Sequence, residues 1–172
     1  PYAFTERRYK NSPCIIVPSH SSERREYIPI NYLDAGTVIS NAAFAIYDAP
    51  LWLFGILTSR MHMTWVRTVG GRLKTDYRYS AQLCYNTFPF PSITSAQQEE
   101  IAVAAEEVLG VREDHPGLTL ADLYDPDCMP ADLRQAHAEL DNLVEQCYPG
   151  YPFATDEDRL ECLFKLYEKM TR

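Results

Sequence analysis

The sequence has 172 residues, of which 46% are hydrophobic and 23% are charged; this composition excludes a disordered or fibrous protein and suits one or two small domains. The net charge of −8 argues against nucleic-acid binding by the chain as a whole, because phosphate contacts dominate that affinity. The average conceals a division: residues 1–90 carry 10 Lys and Arg against 6 Asp and Glu, whereas residues 91–172 carry 6 against 18. The first half can therefore attract a polyanion that the second half repels.

The ends of the chain, its apolar runs and its cysteines bear on location. The sequence starts at Pro1, with no initiating methionine and no signal peptide, so we expect a piece of a longer, non-secreted protein. The most apolar stretch, Leu51 to Leu57, is too short to span a bilayer. Five cysteines without a CxxC pair favour reduced thiols and a cytoplasmic location over a disulfide framework or a zinc site.

In chain order, the first half is predicted to form strands around one buried helix. Runs of β-branched and aromatic residues predict strands over 14–17, 27–30, 37–39 and 43–47. Pro50, close behind Asp48, is typical of a helix start. That helix is apolar on nearly every face at first, which predicts a core helix, and it ends at Gly70-Gly71. A last strand over 83–88 leads to Pro89-Phe90-Pro91, the predicted domain boundary.

The second half is predicted to be helical. Ser95 and Gln98 have the spacing of a capping box, Pro130 suits the start of a second long helix, and Thr155 caps a third. Each helix carries one apolar face, as in a small bundle. We therefore predict an α+β fold, with a mixed-sheet domain containing one buried helix over 1–91, followed by a helical bundle over 92–172.

Several catalytic signatures are missing from the sequence. It has no glycine-rich loop after a strand that would cradle a nucleotide or S-adenosylmethionine, and no Asp/Asn-Pro-Pro-aromatic tetrad. It has no convincing Ser/His/Asp or Cys/His constellation and no carboxylate pair followed by Glu-x-Lys. We therefore predict no catalytic residue, no metal site and no cofactor in this chain.

The segment 21–27 offers the first candidate site. Ser22, Arg24 and Arg25 have the chemistry of a phosphate clamp, which positions a duplex without reading its sequence. The alternative is a charged loop with internal ion pairs to Glu23 and Glu26, and residue types alone leave both open.

The segment after the two glycines offers the second. Arg72, Lys74, Asp76 and Arg78 occupy alternate positions, which point the same way in an extended segment. Lys and Arg can donate to guanine O6 and N7, and Asp can accept from cytosine N4. The alternative, a solvent-facing strand with cross-strand ion pairs, is the one that the residue types by themselves favour.

The order of several motifs adds a resemblance. The chain resembles the C-terminal region of MmeI-like restriction–modification methyltransferases, comprising the target-recognition domain and a helical tail. The motifs are SERREYIP at 22–29, ISNAAFAI at 39–46, FGILTSRMH at 54–62, GRL at 71–73 with YRYS at 77–80, YNTFPFP at 85–91, and TLADLYDP at 119–126.

The resemblance implies a function for the chain. Members of that family carry a nuclease, a helical connector and an S-adenosylmethionine-dependent adenine-N6 methylase before this region. S-adenosylmethionine, and Mg²⁺ if a nuclease is present, would serve the parent protein. The implied partners are double-stranded DNA and the catalytic domains of the same parent chain. The positions between GRL and YRYS help to choose the bases.

Candidate DNA contacts follow from both lines of reasoning. Lys74, Asp76 and Arg78 are expected to read bases. The expected backbone contacts are Ser22, Arg24, Arg25, Arg60, Arg67 and Arg72.

Two other functions remain possible at this point. One is a docking module without DNA contact, and the other is a separate, non-catalytic specificity subunit. A DNA reader would gather its cations on one face, whereas a docking module would expose an apolar patch.

Overall fold

The structure, a computed structural model, describes residues 9–172, so the first eight residues of the predicted first domain lie outside the described part. The fold class is confirmed as α+β. The strands are β1 Cys14–Pro18, β2 His20–Ser21, β3 Asn31–Leu33, β4 Ala43–Tyr47, β5 Gly71–Leu73 and β6 Asp76–Arg78. The helices are α1 Leu51–Thr58, α2 Arg60–Val69, α3 Ser95–Glu113, α4 Leu120–Leu123, α5 Ala131–Glu145 and α6 Asp156–Thr171.

The strands of the described chain form two small antiparallel sheets in place of the single mixed sheet that we predicted. The first has the order β3-β1-β4, with Ile15 opposite both Tyr32 and Ile46. Its central strand is buried because it carries Ile15 and Val17 into the core. The second has the order β2-β6-β5, so β6 pairs with one strand from far upstream and with one neighbour in sequence.

Three predicted strands of the first half are wrong. Residues 27–30 are not paired in either sheet, and residues 37–39 join no sheet, with Val38 76% exposed. Over Ala81–Tyr85 the backbone forms a π-helical turn. The backbone N–H of Asn86 donates to Ala81 O at 2.9 Å, so this segment satisfies its own polar groups without a partner strand.

The predicted single buried helix is divided at Ser59. That residue has extended dihedral angles, φ −79° and ψ 163°, and its hydroxyl donates to Ile56 O at 2.7 Å. The backbone N–H of Arg60, which opens α2, donates to Asp141 Oδ1 at 2.6 Å. A carboxylate is favourable at a helix N-terminus, so a residue of the second half helps α2 to start.

The second half contains three long helices and one short helix. The first capping box is Thr94 with Gln97, one residue before the predicted pair. Thr119 and Thr155 form two further boxes at the starts of α4 and α6. Each box satisfies N–H groups that the first turn of a helix leaves without an intrahelical acceptor.

The two halves share a buried hydrophobic cluster. A single buried cluster joins Ile56 and Trp65 of the first half to Ile101 and Leu140 of the second. Helix α1 crosses α3 closely at Gly55, where a Cβ atom would lie 2.7 Å from Ile101 Cγ2. The second half is therefore packed directly against the helices that support both sheets.

None of the helices described within residues 9–172 is long and apolar enough to cross a membrane. Within the same residues, no three His, Cys, Asp or Glu side chains lie close enough together to hold a metal ion.

Candidate nucleic-acid interface

Strands β5 and β6 form a tight hairpin. Leu73 pairs with Asp76, which leaves Lys74 and Thr75 as a two-residue turn. Lys74 takes φ +58°, in the left-handed region, which costs a residue with a side chain about 1 kcal/mol. The prediction that Arg72, Lys74, Asp76 and Arg78 point the same way from one extended segment is wrong in this respect. The turn places Arg72 on one strand and Asp76 and Arg78 on the other.

The hairpin has an inner and an outer face. Residues paired directly across an antiparallel ladder share a face, so Arg72 lies on the side of its partner Tyr77, which is buried. The Arg72 guanidinium lies 4.1 Å from the centre of the Tyr77 ring and donates to Thr75 O at 3.0 Å. Arg72 is itself exposed, and it stabilises the hairpin through these two contacts.

The outer face carries the predicted base-reading residues. Asp76 and Arg78 lie on this side, Lys74 lies at the tip, and all three are exposed. Asp76 Oδ1 accepts a hydrogen bond from the backbone N–H of Glu23 at 3.2 Å. Within residues 9–172 the side chains of Lys74 and Arg78 form no ion pair. The structure therefore presents two cations and one anion to solvent.

The arginine loop, residues 21–27, is attached to the second half. Arg24 pairs with Asp127 at 2.6 Å, and the backbone N–H of Arg24 donates to Ser22 Oγ at 3.3 Å. Arg25 is half-buried and donates to Ala121 O at 3.5 Å. The loop is charged, as both the phosphate clamp and the loop with internal ion pairs required. Its two arginines, however, contact α4 and the segment after it.

The other predicted backbone contacts are also engaged within the protein. Arg60 and Arg67 both reach Asp156, at 2.7 and 3.1 Å. Arg67 also donates to Glu26 O at 3.1 Å, and the Glu26 carboxylate pairs with Arg134. The seven-residue spacing of Arg60 and Arg67 places them on one face of α2, and that face meets the first turn of α6.

A buried polar network joins the two halves, and no motif in the sequence indicates it. Arg112, buried on α3, donates to Ile30 O at 2.9 Å and to the Tyr124 hydroxyl at 2.9 Å. That hydroxyl lies 2.6 Å from His137 Nε2. Burial, together with the charge of Arg112, lowers the pKa of His137 to about 3, so the imidazole is neutral.

The network continues into the arginine loop. The ring of Tyr27 stacks on His137 with 4.1 Å between ring centres, and its hydroxyl donates to Asp141 Oδ2 at 2.7 Å. Burial raises the pKa of Asp141 to about 7, although the Arg60 N–H and the Tyr27 hydroxyl both favour its charged form. We call Arg112, Tyr124, His137, Tyr27 and Asp141 the junction network.

A groove runs beside the outer face of the hairpin. It has a volume of about 690 Å³, and its lining includes His20, Asn41, Arg78 and Gln82. Sequence reasoning named only Arg78 among these. His20 is brought beside it by the pairing of β2 with β6 and Asn41 by the loop before β4, contacts that no local pattern encodes, whereas Gln82 follows Arg78 closely in the π-helical turn.

Comparison with known proteins places the chain among relatives. Residues 1–92 match the family described as the MmeI target recognition domain, and residues 93–172 match the MmeI C-terminal domain. DNA methyltransferase A of Bacillus subtilis (strain 168) is 52% identical over 171 residues, covering 99% of this chain and 19% of that protein. The type IIL restriction-modification enzyme MmeI, solved in complex with DNA, matches with a TM-score of 0.90 and 42% identity, over 94% of this chain and 22% of that one. The chain thus spans about a fifth of the length of each.

Proposed function

We propose, from the premise that this chain belongs to the MmeI target recognition and C-terminal domain family, that it recognises DNA sequence for a larger adenine-N6 methyltransferase. The resemblance read from the motifs is confirmed by both family matches. The single observation that carries the function is the exposed group of Lys74, Asp76 and Arg78 on the outer side of the hairpin.

These three side chains suit base edges in the major groove. Arg78 and Lys74 can donate to guanine O6 and N7, and Asp76 can accept from cytosine N4. Lys74 holds a left-handed backbone conformation, and strain of this kind clusters at functional sites. The solved relative, which matches 94% of this chain, was in complex with DNA. This supports a DNA-reading role for the three side chains and disfavours a docking module.

The arginine loop supplies the proposed backbone contacts. Ser22 lies beside Asp76, because Asp76 accepts the N–H of the next residue, Glu23, and Arg25 lies two residues further along the same loop. Arg24 is more than half exposed in its pair with Asp127, and such a pair contributes little, so a phosphate can replace the carboxylate. Arg60, Arg67 and Arg72 are held by protein groups, and we assign them to the support of the interface.

The rest of the proposed activity belongs to the parent protein. There the recognised site would present an adenine, flipped out of the stack, to a methylase domain that binds S-adenosylmethionine. A nuclease domain, if the parent carries one, would use Mg²⁺. This chain supplies no catalytic residue to either reaction, its partners are DNA and those domains, and the location is the cytoplasm.

Exchange of the hairpin pair tests the base-reading role. The double variant Lys74→Asp, Asp76→Lys, placed in the parent protein, is expected to change the accepted base at one position of the site and to retain turnover on the new site. Methylation of a library with a randomised site, read by sequencing, measures this. Exchange of the exposed Glu161 and Lys165 pair on α6 is the matched control and should leave the accepted site unchanged. Uniform loss on every sequence would refute base reading by this pair.

Charge reversal in the arginine loop tests the phosphate contacts. Arg24→Glu with Arg25→Glu should weaken binding to all sequences, and the slope of log K against log salt should become shallower by about 0.9 for each lost contact. The control is Arg172→Glu, at the exposed end of α6. An unchanged salt slope in a double variant with an unaltered unfolding midpoint would remove the loop from the interface.

A further inference from the structure

His20 lies on the outer face of the second sheet. It pairs directly with Arg78 across β2 and β6, so the two side chains point to the same side. His20 is exposed, and together with Arg78 it lines the groove beside the hairpin. A histidine therefore stands next to a proposed base-reading arginine.

The hydrogen bonds of Ser19 fix which nitrogen of His20 carries the proton. Ser19 Oγ lies 2.7 Å from Ala42 O and 3.0 Å from His20 Nδ1. A carbonyl oxygen can only accept, so the Ser19 hydroxyl proton goes to Ala42 O. Ser19 Oγ is then the acceptor for Nδ1–H. In the neutral ring the other nitrogen, Nε2, is left as an acceptor.

The position of this ring is set by backbone bonds. Ser19 N–H donates to Ala42 O at 2.9 Å, and Tyr79 N–H donates to Ser19 O at 2.9 Å. Ser19 thus connects the start of β4 in the first sheet to the end of β6 in the second. Within residues 9–172, Nε2 of His20 has no hydrogen-bond partner. The ring is oriented on one side and open on the other, as a group that binds a ligand should be.

We propose that His20 is a further specificity-determining residue, whose Nε2 accepts a hydrogen bond from an exocyclic amino group in the major groove. The inference rests on the proposed function. Adenine N6 and cytosine N4 are the amino groups that the major groove presents. Arg78 donates and therefore selects an acceptor such as guanine O6, whereas His20 beside it selects a donor. The two side chains read complementary chemistry in the same or the adjacent base pair.

The test is a cycle between His20→Phe and DNA that lacks one amino group. The affinity of the parent protein is first measured for a duplex with the preferred bases. It is then measured for duplexes in which one adenine is replaced by purine, or one cytosine by 2-pyrimidinone. Wild type should lose about two- to tenfold in affinity at one position, the size of one hydrogen bond. His20→Phe should show the same loss on intact DNA and no further loss on the analogue. Whether the sensitive base is adenine or cytosine identifies the amino group.

The outcomes separate this inference from the function beneath it. If wild type prefers a sequence but His20→Phe remains as sensitive as wild type to every amino deletion, His20 does not read an amino group. If wild type shows no sequence preference, the proposed function itself fails. His20→Gln, which retains an acceptor, should keep part of the discrimination. The matched control is His115 of the second half, which pairs with Asp132. The His115→Phe variant should bind DNA as wild type does.

Discussion

The junction network and the β5–β6 hairpin place polar side chains under opposite conditions. In the network, Arg112 and Asp141 are buried. Each hydrogen bond of the network either crosses from one half of the chain to the other or shares a residue with a bond that does. At the hairpin, Lys74 and Arg78 are exposed and form no ion pair within residues 9–172. Both sets carry charge, but only one has its partners inside the protein.

This difference separates stability from recognition. A buried polar group without a partner is costly, so removing a member of the network should lower the free energy of unfolding. An exposed cation costs little when it is alone, so the hairpin can keep its donors available for a ligand. Substitutions in the two regions should therefore have different consequences, and the following predictions test that.

The largest effect is expected at Arg112. Arg112→Ala leaves Ile30 O and the Tyr124 hydroxyl without their buried donor, and we expect a loss of about 3 kcal/mol in the free energy of unfolding. Urea denaturation measures it. Arg78→Ala, at an exposed position, should change the same quantity by less than about 0.5 kcal/mol. Equal losses in the two variants would break the comparison.

A smaller effect is expected where α1 crosses α3. Gly55→Ala would place a Cβ atom 2.7 Å from Ile101 Cγ2 and 3.3 Å from Ala105 Cβ. The overpacking should exceed the gain in helix propensity and lower the free energy of unfolding by about 1–2 kcal/mol. Gly110→Ala is the control, because a Cβ there meets nothing within 4 Å; it should be neutral or stabilising. A stabilised Gly55→Ala variant would show that the two helices are not closely packed at this point.

The hairpin should respond in the opposite sense. Lys74→Gly relieves the left-handed strain at φ +58° and should raise the free energy of unfolding by up to about 1 kcal/mol. The same variant loses the Lys74 ammonium and should discriminate less well at one base. Both quantities are measured on the same preparation. A free energy of unfolding that does not rise, or a base discrimination that does not fall, would contradict this trade between stability and recognition.

The smallest effect is a change in how steeply the free energy of unfolding depends on pH. The fold raises the pKa of Asp141 from 3.8 to about 7, so its contribution to stability is present below about pH 4 and is lost as the pH rises towards 7. The fold lowers the pKa of His62 and His137 from 6.5 to about 3, so their contribution is lost as the pH falls from 6.5 towards 3.

Asp141→Asn removes the first of these opposing contributions. Between about pH 4 and 7, the stability of the variant should therefore rise more steeply with pH than that of wild type. Thermal unfolding at several pH values measures the slope. Parallel curves for the two proteins would show that Asp141 does not titrate in this range.

Local patterns predicted the parts of the fold that depend on local chemistry. Strands β1 and β4, the glycine end of α2 and the later helix starts follow from β-branched runs, glycine and capping residues. The break at Ser59 was missed because Asp141, which accepts the N–H of Arg60 just after the break, is distant in sequence. The turn at Lys74 was missed because neither Lys74 nor Thr75 is a usual hairpin-turn residue.

The candidate site shows the same limit. Alternate polar positions drew attention to Lys74, Asp76 and Arg78, and the structure leaves all three exposed. The arginines of the first half were indistinguishable in sequence, yet Arg60 and Arg67 are bound to Asp156, which lies 96 and 89 residues further along the chain. His20 was overlooked because a single histidine beside a serine carries no pattern until β2 is paired with β6.

The carboxylate of Asp141 at the start of α2 has a consequence for modular engineering. A chimaera could take residues 9–92 from this chain and the remainder from a relative. The N-terminus of α2 and the Tyr27 hydroxyl would then have to bond to a residue of the relative in place of Asp141. New sequence specificities should therefore be transferred either as hairpin side chains alone or as the whole 172-residue unit, and a graft cut between the two family segments should express poorly.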